Sequence, residues 1–279
     1  KAPSETSNTG PVTLRFTFTK ALEQKYKSDS ETKTAMVGSS AKVPDMKPVL
    51  MSTDTLVKVT DVTGGKAKIE LSVAKMDMKG GTTDPSSQKQ MQKMSQDITG
   101  LKVAATFDTM GNPSNQQYVK GDKAMAMAAG IDSTTGFLGL TYPEKPVNIG
   151  DKWSHEVDFK TVLGAAMPIP NATWTNSKVT TYFTLVSVDR AKGTAVVGIS
   201  AKGNPQISMN LGQFAKADKS GKTPSEIKIN IKINGSGTAT IDLKSGLPIE
   251  IVYDMSTESN NPMGGGAISK KDKSTMKRM

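Results

Sequence analysis

Ile227-Lys228-Ile229-Asn230-Ile231-Lys232-Ile233 places an isoleucine at every second position, with only Lys and Asn between them. Side chains of a β-strand point alternately to opposite faces, so this stretch has one fully apolar face and one fully polar face. A helix would scatter the same isoleucines around its axis. The run is followed by Asn234-Gly235-Ser236-Gly237 and later by Lys244-Ser245-Gly246. Both are Gly-containing combinations of the kind that tight hairpins use for positive φ. Residues 226–254 therefore read as a three-stranded meander.

The same period-2 pattern recurs outward from this stretch. Val12, Leu14, Phe16 and Phe18 alternate with polar residues, as do Ile69, Leu71 and Val73, and Leu101, Val103, Ala105 and Phe107. Thr63-Gly64-Gly65-Lys66 and Ala191-Lys192-Gly193 punctuate further strand pairs. Helices look few. Asp84-Pro85 has the form of an N-cap followed by proline at the first helical position, opening a short helix to about Ile98. Asp122–Ala129 reads as a second helix stopped by Gly130, and 158–166 as a third. Residues 37–48 and 216–225 read as irregular. The fold class is thus mainly β, with a few short covering helices.

The chain also carries an internal echo. Thr55-Leu56-Val57-Lys58-Val59 is matched by Thr184-Leu185-Val186-Ser187-Val188. Each precedes a Gly-containing turn and a strand ending in Ala-Lys, at Ala74-Lys75 and Ala201-Lys202. Gly111-Asn112-Pro113 is matched in the same order by Gly246-Leu247-Pro248. Two similar curved antiparallel sheets, the product of a duplication, would account for this. The divisions are a polar arm at 1–10, a first β-rich half at 11–140, a second at 141–256, and a polar basic tail at 257–279.

Composition narrows the function classes. Of 279 residues 35% are hydrophobic and 5% aromatic, so the core must be thin and aliphatic. With no cysteine, structural disulfides, thiolate metal sites and cysteine nucleophiles are excluded. The net charge is +10, but only Arg15, Arg190 and Arg278 are arginines. Nucleic-acid readers lean on the bidentate arginine fork, so specific nucleic-acid binding is not expected. Scattered lysines suit either attraction to an anionic envelope polymer or lipid headgroups, or the solvated outer face of a sheet. The chain opens on Lys1 rather than Met, with a polar Ser- and Thr-rich start and no long apolar run. It reads as a mature secreted or surface chain whose export signal has been removed.

Catalytic equipment is sparse. The one histidine, His155, has no Gly-x-Ser-x-Gly elbow to work with. Ser-x-x-Lys matches such as those at Ser30, Ser39, Ser86 and Ser225 lack their Ser-Asp-Asn and Lys-Thr-Gly companions, and Gly221-Lys222-Thr223 lacks the earlier P-loop glycine. No enzyme activity, cofactor or metal is expected. Met76-x-Met78, Met91-x-x-Met94 and Met125-x-Met127 have the spacing of thioether copper sites, but also of flexible core filler, which is the reading adopted.

Between the two halves lies Tyr142-Pro143-Glu144-Lys145-Pro146-Val147-Asn148-Ile149-Gly150-Asp151-Lys152-Trp153. Trp153 reads as a large buried anchor at the start of the second half. This stretch resembles a signature of a family of uncharacterised bacterial secreted proteins and lipoproteins, in which Pro-x-x-Pro-Val precedes Gly-Asp-x-Trp. Asp242–Pro248 resembles the same family's Asp-x-x-x-Gly-x-Pro turn. The resemblance implies an exported β-rich protein and no particular activity.

Two functions fit. One is a self-assembling surface or filament subunit, a homo-oligomer or polymer formed by strand addition. The 12–19 strand, with Leu14, Phe16 and Phe18, would be donated, and Ile227, Ile229 and Ile231 would offer an edge. The other is an envelope carrier or sensor that holds a hydrophobic ligand such as a lipid in a curved-sheet cavity, lined by Met125, Met127, Phe137, Leu138 and Leu140.

Overall fold

The structure is a computed structural model that describes residues 10–37, 47–81, 84–129, 131, 137–161, 172–210, 226–260 and 266–279. Among the described residues thirteen strands form one antiparallel sheet. They are β1 (Glu23–Val37), β2 (Val49–Thr63), β3 (Lys66–Gly80), β4 (Lys102–Phe107), β5 (Pro113–Lys120), β6 (Lys152–Asp158), β7 (Ala172–Asn176), β8 (Lys178–Asp189), β9 (Thr194–Gly203), β10 (Gln206–Asn210), β11 (Glu226–Asp242), β12 (Pro248–Asn260) and β13 (Ala267–Arg278). Helix α1 (Pro85–Ile98) packs on β3, and α2 (Lys123–Ala128) follows β5. The side chains of Asp84 and Asp122 cap them by accepting from Ser87 N and Met125 N. Of the third expected helix, only a turn at 159–161 is described; the loop expected at 216–225 and residues 38–46 of the other lie outside the described residues.

The principal path through the sheet runs β5-β4-β3-β2-β1-β13-β12-β11-β9-β8-β6, with β10 and β7 extending it beside the first residues of β11. The expectation of two sheets is therefore corrected to one. The strand that joins the halves is β13, which pairs with β1 on one side and β12 on the other. It lies in the stretch expected to be a polar tail. Its lysines gave no apolar alternation to read, because its support comes from two flanking ladders and cross-strand ion pairs such as Lys277 to Glu250 at 2.8 Å.

The opening stretch is a strand, but its continuation is not a turn. β11 runs unbroken for 17 residues through Gly235 and Gly237, so the expected meander is two strands, β11 and β12. Neither glycine has positive φ. They sit opposite Met255 and Tyr253, and a Cβ on either would overlap the Tyr253 ring. Glycine here makes room for an aromatic ring lying flat across the strand. The turns expected at Gly64-Gly65, Gly193 and Gly246 are all present with positive φ.

The two halves of the path are five-stranded meanders of the same order, β5-β4-β3-β2-β1 and β12-β11-β9-β8-β6. Their details coincide. Ala21 N donates to Val59 O and Val59 N to Leu22 O, while Gly150 N donates to Leu185 O and Leu185 N to Asp151 O. Ala21 and Gly150 both have positive φ. Asp108 Oδ1 accepts from Met110 N and Asp242 Oδ1 from Lys244 N, each opening a turn that closes on a glycine, Gly111 or Gly246. Tyr118 opposite Val103 corresponds to Tyr253 opposite Gly237. On this correspondence Val59 matches Leu185, so the Thr-Leu-Val echo of the sequence is three residues out of step, whereas the Gly-x-Pro echo is in register.

The core lies on one face, called inner here. Val57, Ile69, Leu71, Val103, Phe107, Phe183, Leu185, Val197 and Ile241 are all buried on it. Residues 11–20 and 137–149 run across this face rather than joining the sheet. Val12 makes an isolated antiparallel bridge to Val147, and the Arg15 guanidinium donates to the carbonyls of Pro143 and Glu144. Phe16 packs stacked on Phe18, edge-on to Phe137 and tilted against Tyr142, with ring centroids 5.8, 4.9 and 4.6 Å away. The outer face carries lysines facing carboxylates, as in Lys58–Glu23 at 2.7 Å and Lys178–Glu156 at 2.6 Å, exposed pairs that add little stability.

Two buried tyrosines differ in a testable way. Tyr142 Oη donates to Gly246 O at 2.5 Å, tying the inner segment to the β11–β12 turn. Tyr26 Oη is buried with no hydrogen-bond partner among the described residues, and burial pushes its pKa well above the usual phenol range. Leaving a buried hydroxyl unpaired costs about 1–3 kcal/mol. Tyr26→Phe is therefore expected to raise stability by about 1 kcal/mol in urea unfolding, where Tyr142→Phe lowers it.

Candidate functional site

The inner face is filled unevenly. Toward one end of the strands it is packed by the segments just described. Past Phe183 and Ile241 the same inner rows continue without such a filling among the described residues and border a cavity of about 330 Å3. Its walls follow from strand register. Val157 of β6 faces Val179 of β8, Thr181 faces Ala201 of β9, and Ile233 of β11 faces Thr257 of β12. Ile199, Ile251, Tyr253 and Met255 complete the sheet side, and Leu138, Gly139 and Phe159 close over it. Phe159 is held edge-on to Trp174 of β7, with centroids 6.4 Å apart.

Among the described residues every lining side chain is uncharged, and only Thr181 and Tyr253 contribute hydroxyls. Burial raises the Tyr253 pKa, which keeps the phenol neutral. The ring can form one wall because Gly235 and Gly237 lie beneath it. Small residues supply the room: Ala201 sits between Thr181 and Gly235 in the ladder.

His155 is one pair from this cavity, opposite Thr181 on the inner face. Burial holds its pKa below the ordinary 6.5. An imidazole buried in its neutral form leaves the unfolded chain the better proton acceptor as pH falls below about 6.5, so stability is lost as acid titrates through that range. His155→Gln removes this contribution. The fall in melting temperature between about pH 7.5 and 5.5 is expected to be smaller in the variant than in the wild type.

The edges of the sheet form a second feature. Asn112, Pro113, Ser114 and Gln116 at the β5 edge share a cleft of about 400 Å3 with His155, Glu156, Val157 and Asp158 of β6. The sheet thus curls until its first and last strands face each other, unpaired with one another.

The residues singled out in the sequence are distributed as follows. Leu14 and Phe16 are buried in the core of their own chain, and Phe18 packs against it, so none of the three stands at a free edge. The 12–19 stretch contributes only the Val12–Val147 bridge and no named strand. Ile227 and Ile229 pair with Met209 and Ile207 of β10, and Ile231 with Ser259 of β12. On the far side of that part of β11, the Asn260 side chain accepts from Asn230 N at 2.6 Å and donates to Lys228 O at 2.7 Å. Trp153 is half-buried, stacked on Phe183 at 5.6 Å, and its Nε1 donates to Thr141 O at 2.8 Å. Of the lining expected for a carrier, Leu138 borders the cavity, Phe137 and Leu140 are core, and Met125 packs against the core. Met76 is buried and Met78 partly buried, and both face inward. Sequence reasoning missed the rows Val179-x-Thr181, Ile199-x-Ala201 and Ile251-x-Tyr253-x-Met255, although each alternates visibly.

Among the described residues no helix is long and apolar enough to cross a membrane, and no group of three or more His, Asp or Glu side chains converges as a metal site. No protein-family model matches the sequence, and no curated protein matches it. Among solved structures, one described by lipid–protein interactions in lipovitellin overlaps 94% of this chain at 10% identity and a TM-score of 0.46; this chain spans 25% of that one. Ail, the attachment invasion locus protein of Yersinia pestis, overlaps 94% of this chain and 100% of its own at 4% identity and a TM-score of 0.21.

Proposed function

We propose that this chain is a non-catalytic binding protein that holds a small apolar ligand, such as a single lipid tail, against the inner face of its curled sheet. The observation that carries this reading is the uncharged cavity bounded by Val157, Val179, Ala201, Ile233, Ile251 and Tyr253. Its volume lies at the lower end of the range of about 300–1,000 Å3 typical of ligand pockets, which suits one chain rather than a whole phospholipid. With no cation or carboxylate among the described lining residues, an ionised headgroup has no partner on these walls and would remain outside, while Thr181 and Tyr253 offer hydrogen bonds to one polar end. A bacterial envelope compartment, implied by the family resemblance, would supply such ligands.

Mass spectrometry of an organic extract of the native protein tests the reading. A stoichiometric aliphatic molecule, reduced in extracts of a variant with the cavity filled, is the expected result. Extracts empty of such molecules, together with no uptake of added alkyl probes, would refute it.

A further inference from the structure

We infer that the ligand of the inner face is an uncharged amphiphile, an alkyl chain that carries a vicinal diol such as a glycerol or sugar head, and that Asp272 of β13 and the hydroxyls of β1 receive that head. The inference rests on the reading of the cavity as an apolar-ligand site and adds the chemistry of what stands beside it.

Strand register places a polar strip next to the cavity. Ile251, Tyr253 and Met255 of β12 form the cavity wall nearest β13. Residues directly opposite each other in an antiparallel ladder share a face. The three rows therefore continue on the inner face as Ile251–Met276–Ser28, Tyr253–Ser274–Ser30 and Met255–Asp272–Thr32. Ser28, Ser30, Thr32, Asp272 and Ser274 are all half-buried. Neighbouring strands stand about 4.8 Å apart, so Asp272 and Ser274 are one such step beyond the wall and the β1 hydroxyls two. A glycerol or sugar head on a chain held in the cavity covers that distance.

Asp272 is the acceptor of this strip. Its Oδ1 accepts from Thr32 Oγ1 at 2.5 Å and lies 3.3 Å from Lys270 Nζ. Its Oδ2 is buried and has no hydrogen-bond partner among the described residues. A carboxylate oxygen kept from water without a donor is costly, and a ligand hydroxyl relieves that cost with a charge-assisted bond. An alkyl chain without a head leaves Oδ2 unpaired.

The same pair sets the charge and kind of head. A carboxylate head would lie against the Asp272 side chain and an ammonium head against that of Lys270, whereas a neutral polyol meets no like charge. Each hydroxyl both donates and accepts. One hydroxyl of a diol donates to Oδ2, and the next exchanges hydrogen bonds with the Ser and Thr hydroxyls around it.

Isothermal titration of the full chain with decanol and with the decyl ether of glycerol tests this. The readout is the ratio of the two affinities, which a partial loss of folded protein does not change. The wild type is expected to bind the glycerol ether at least about tenfold more tightly. Asp272→Asn puts a donor where Oδ2 stands, and the ratio is expected to fall to about one or below. Ser30→Ala is expected to lower it about threefold and serves if the Asp272 variant does not fold. A ratio near one in the wild type, or a tenfold ratio that survives in both variants, would overturn the inference and leave the ligand reading standing. Binding of neither probe would overturn both.

Discussion

Ala201→Phe is expected to weaken binding of an alkyl probe by at least about tenfold, equivalent to about 1.4 kcal/mol, while leaving the chain folded. Ala201 lies on the cavity wall between Thr181 and Gly235, and a benzyl group there projects into the space a ligand would occupy. Adding atoms to a packed core costs about 1–3 kcal/mol, but here part of the ring enters empty volume, so the penalty falls at the low end of that range. Fluorescence titration gives the affinity and thermal unfolding the stability. Thr181→Val serves as the complementary variant. It keeps shape and removes one hydroxyl, so an apolar tail should bind nearly as well as to the wild type.

Phe16→Ala is expected to have the largest effect on stability, about 3–5 kcal/mol, as for other buried aromatic truncations. The ring is 1% exposed and touches Phe18, Phe137 and Tyr142. It also faces Gly111, whose Cβ, if present, would lie 2.6 Å from Phe16 Cε2. Truncation removes the centre of an aromatic cluster that joins the 11–20 and 137–149 segments to the sheet. For a chain of this size the loss corresponds to a fall in melting temperature of about 10 °C. A change of under about 1 kcal/mol would mean that the 11–20 segment is not held in its own chain's core, and would favour donation to a neighbour.

The strands were legible because a sheet with one wet face imposes period-2 alternation, and Ile227–Ile233 shows it without interruption. The hairpin at Gly64-Gly65 was legible for a similar reason: positive φ at two successive residues nearly demands glycine. Gly235 and Gly237 misled because glycine answers two different demands. One is local, a backbone angle; the other is tertiary, the flat ring of Tyr253, which lies 16 residues away along the chain from Gly237. Only the first leaves a nearby signature. β13 was unreadable because its stability comes from two ladders rather than from an apolar face, so Lys270-Lys271-Asp272-Lys273 looks like a solvated tail. The cavity was partly readable. The inward rows of β8, β9 and β12 could be listed from alternation, but which part of each row is covered depends on where residues 137–149 cross the sheet, and strand periodicity carries no information about that.

The central claim is that the inner face binds an uncharged apolar chain, and isothermal titration of the native protein with decanol and decanoate at several temperatures tests it most directly. The account predicts saturable one-to-one binding of both probes, decanol at least as tightly because no described lining residue is charged, with a negative heat-capacity change and loss of the heat in Ala201→Phe. Absence of saturable heat for either probe, or binding that Ala201→Phe leaves unchanged, would contradict it.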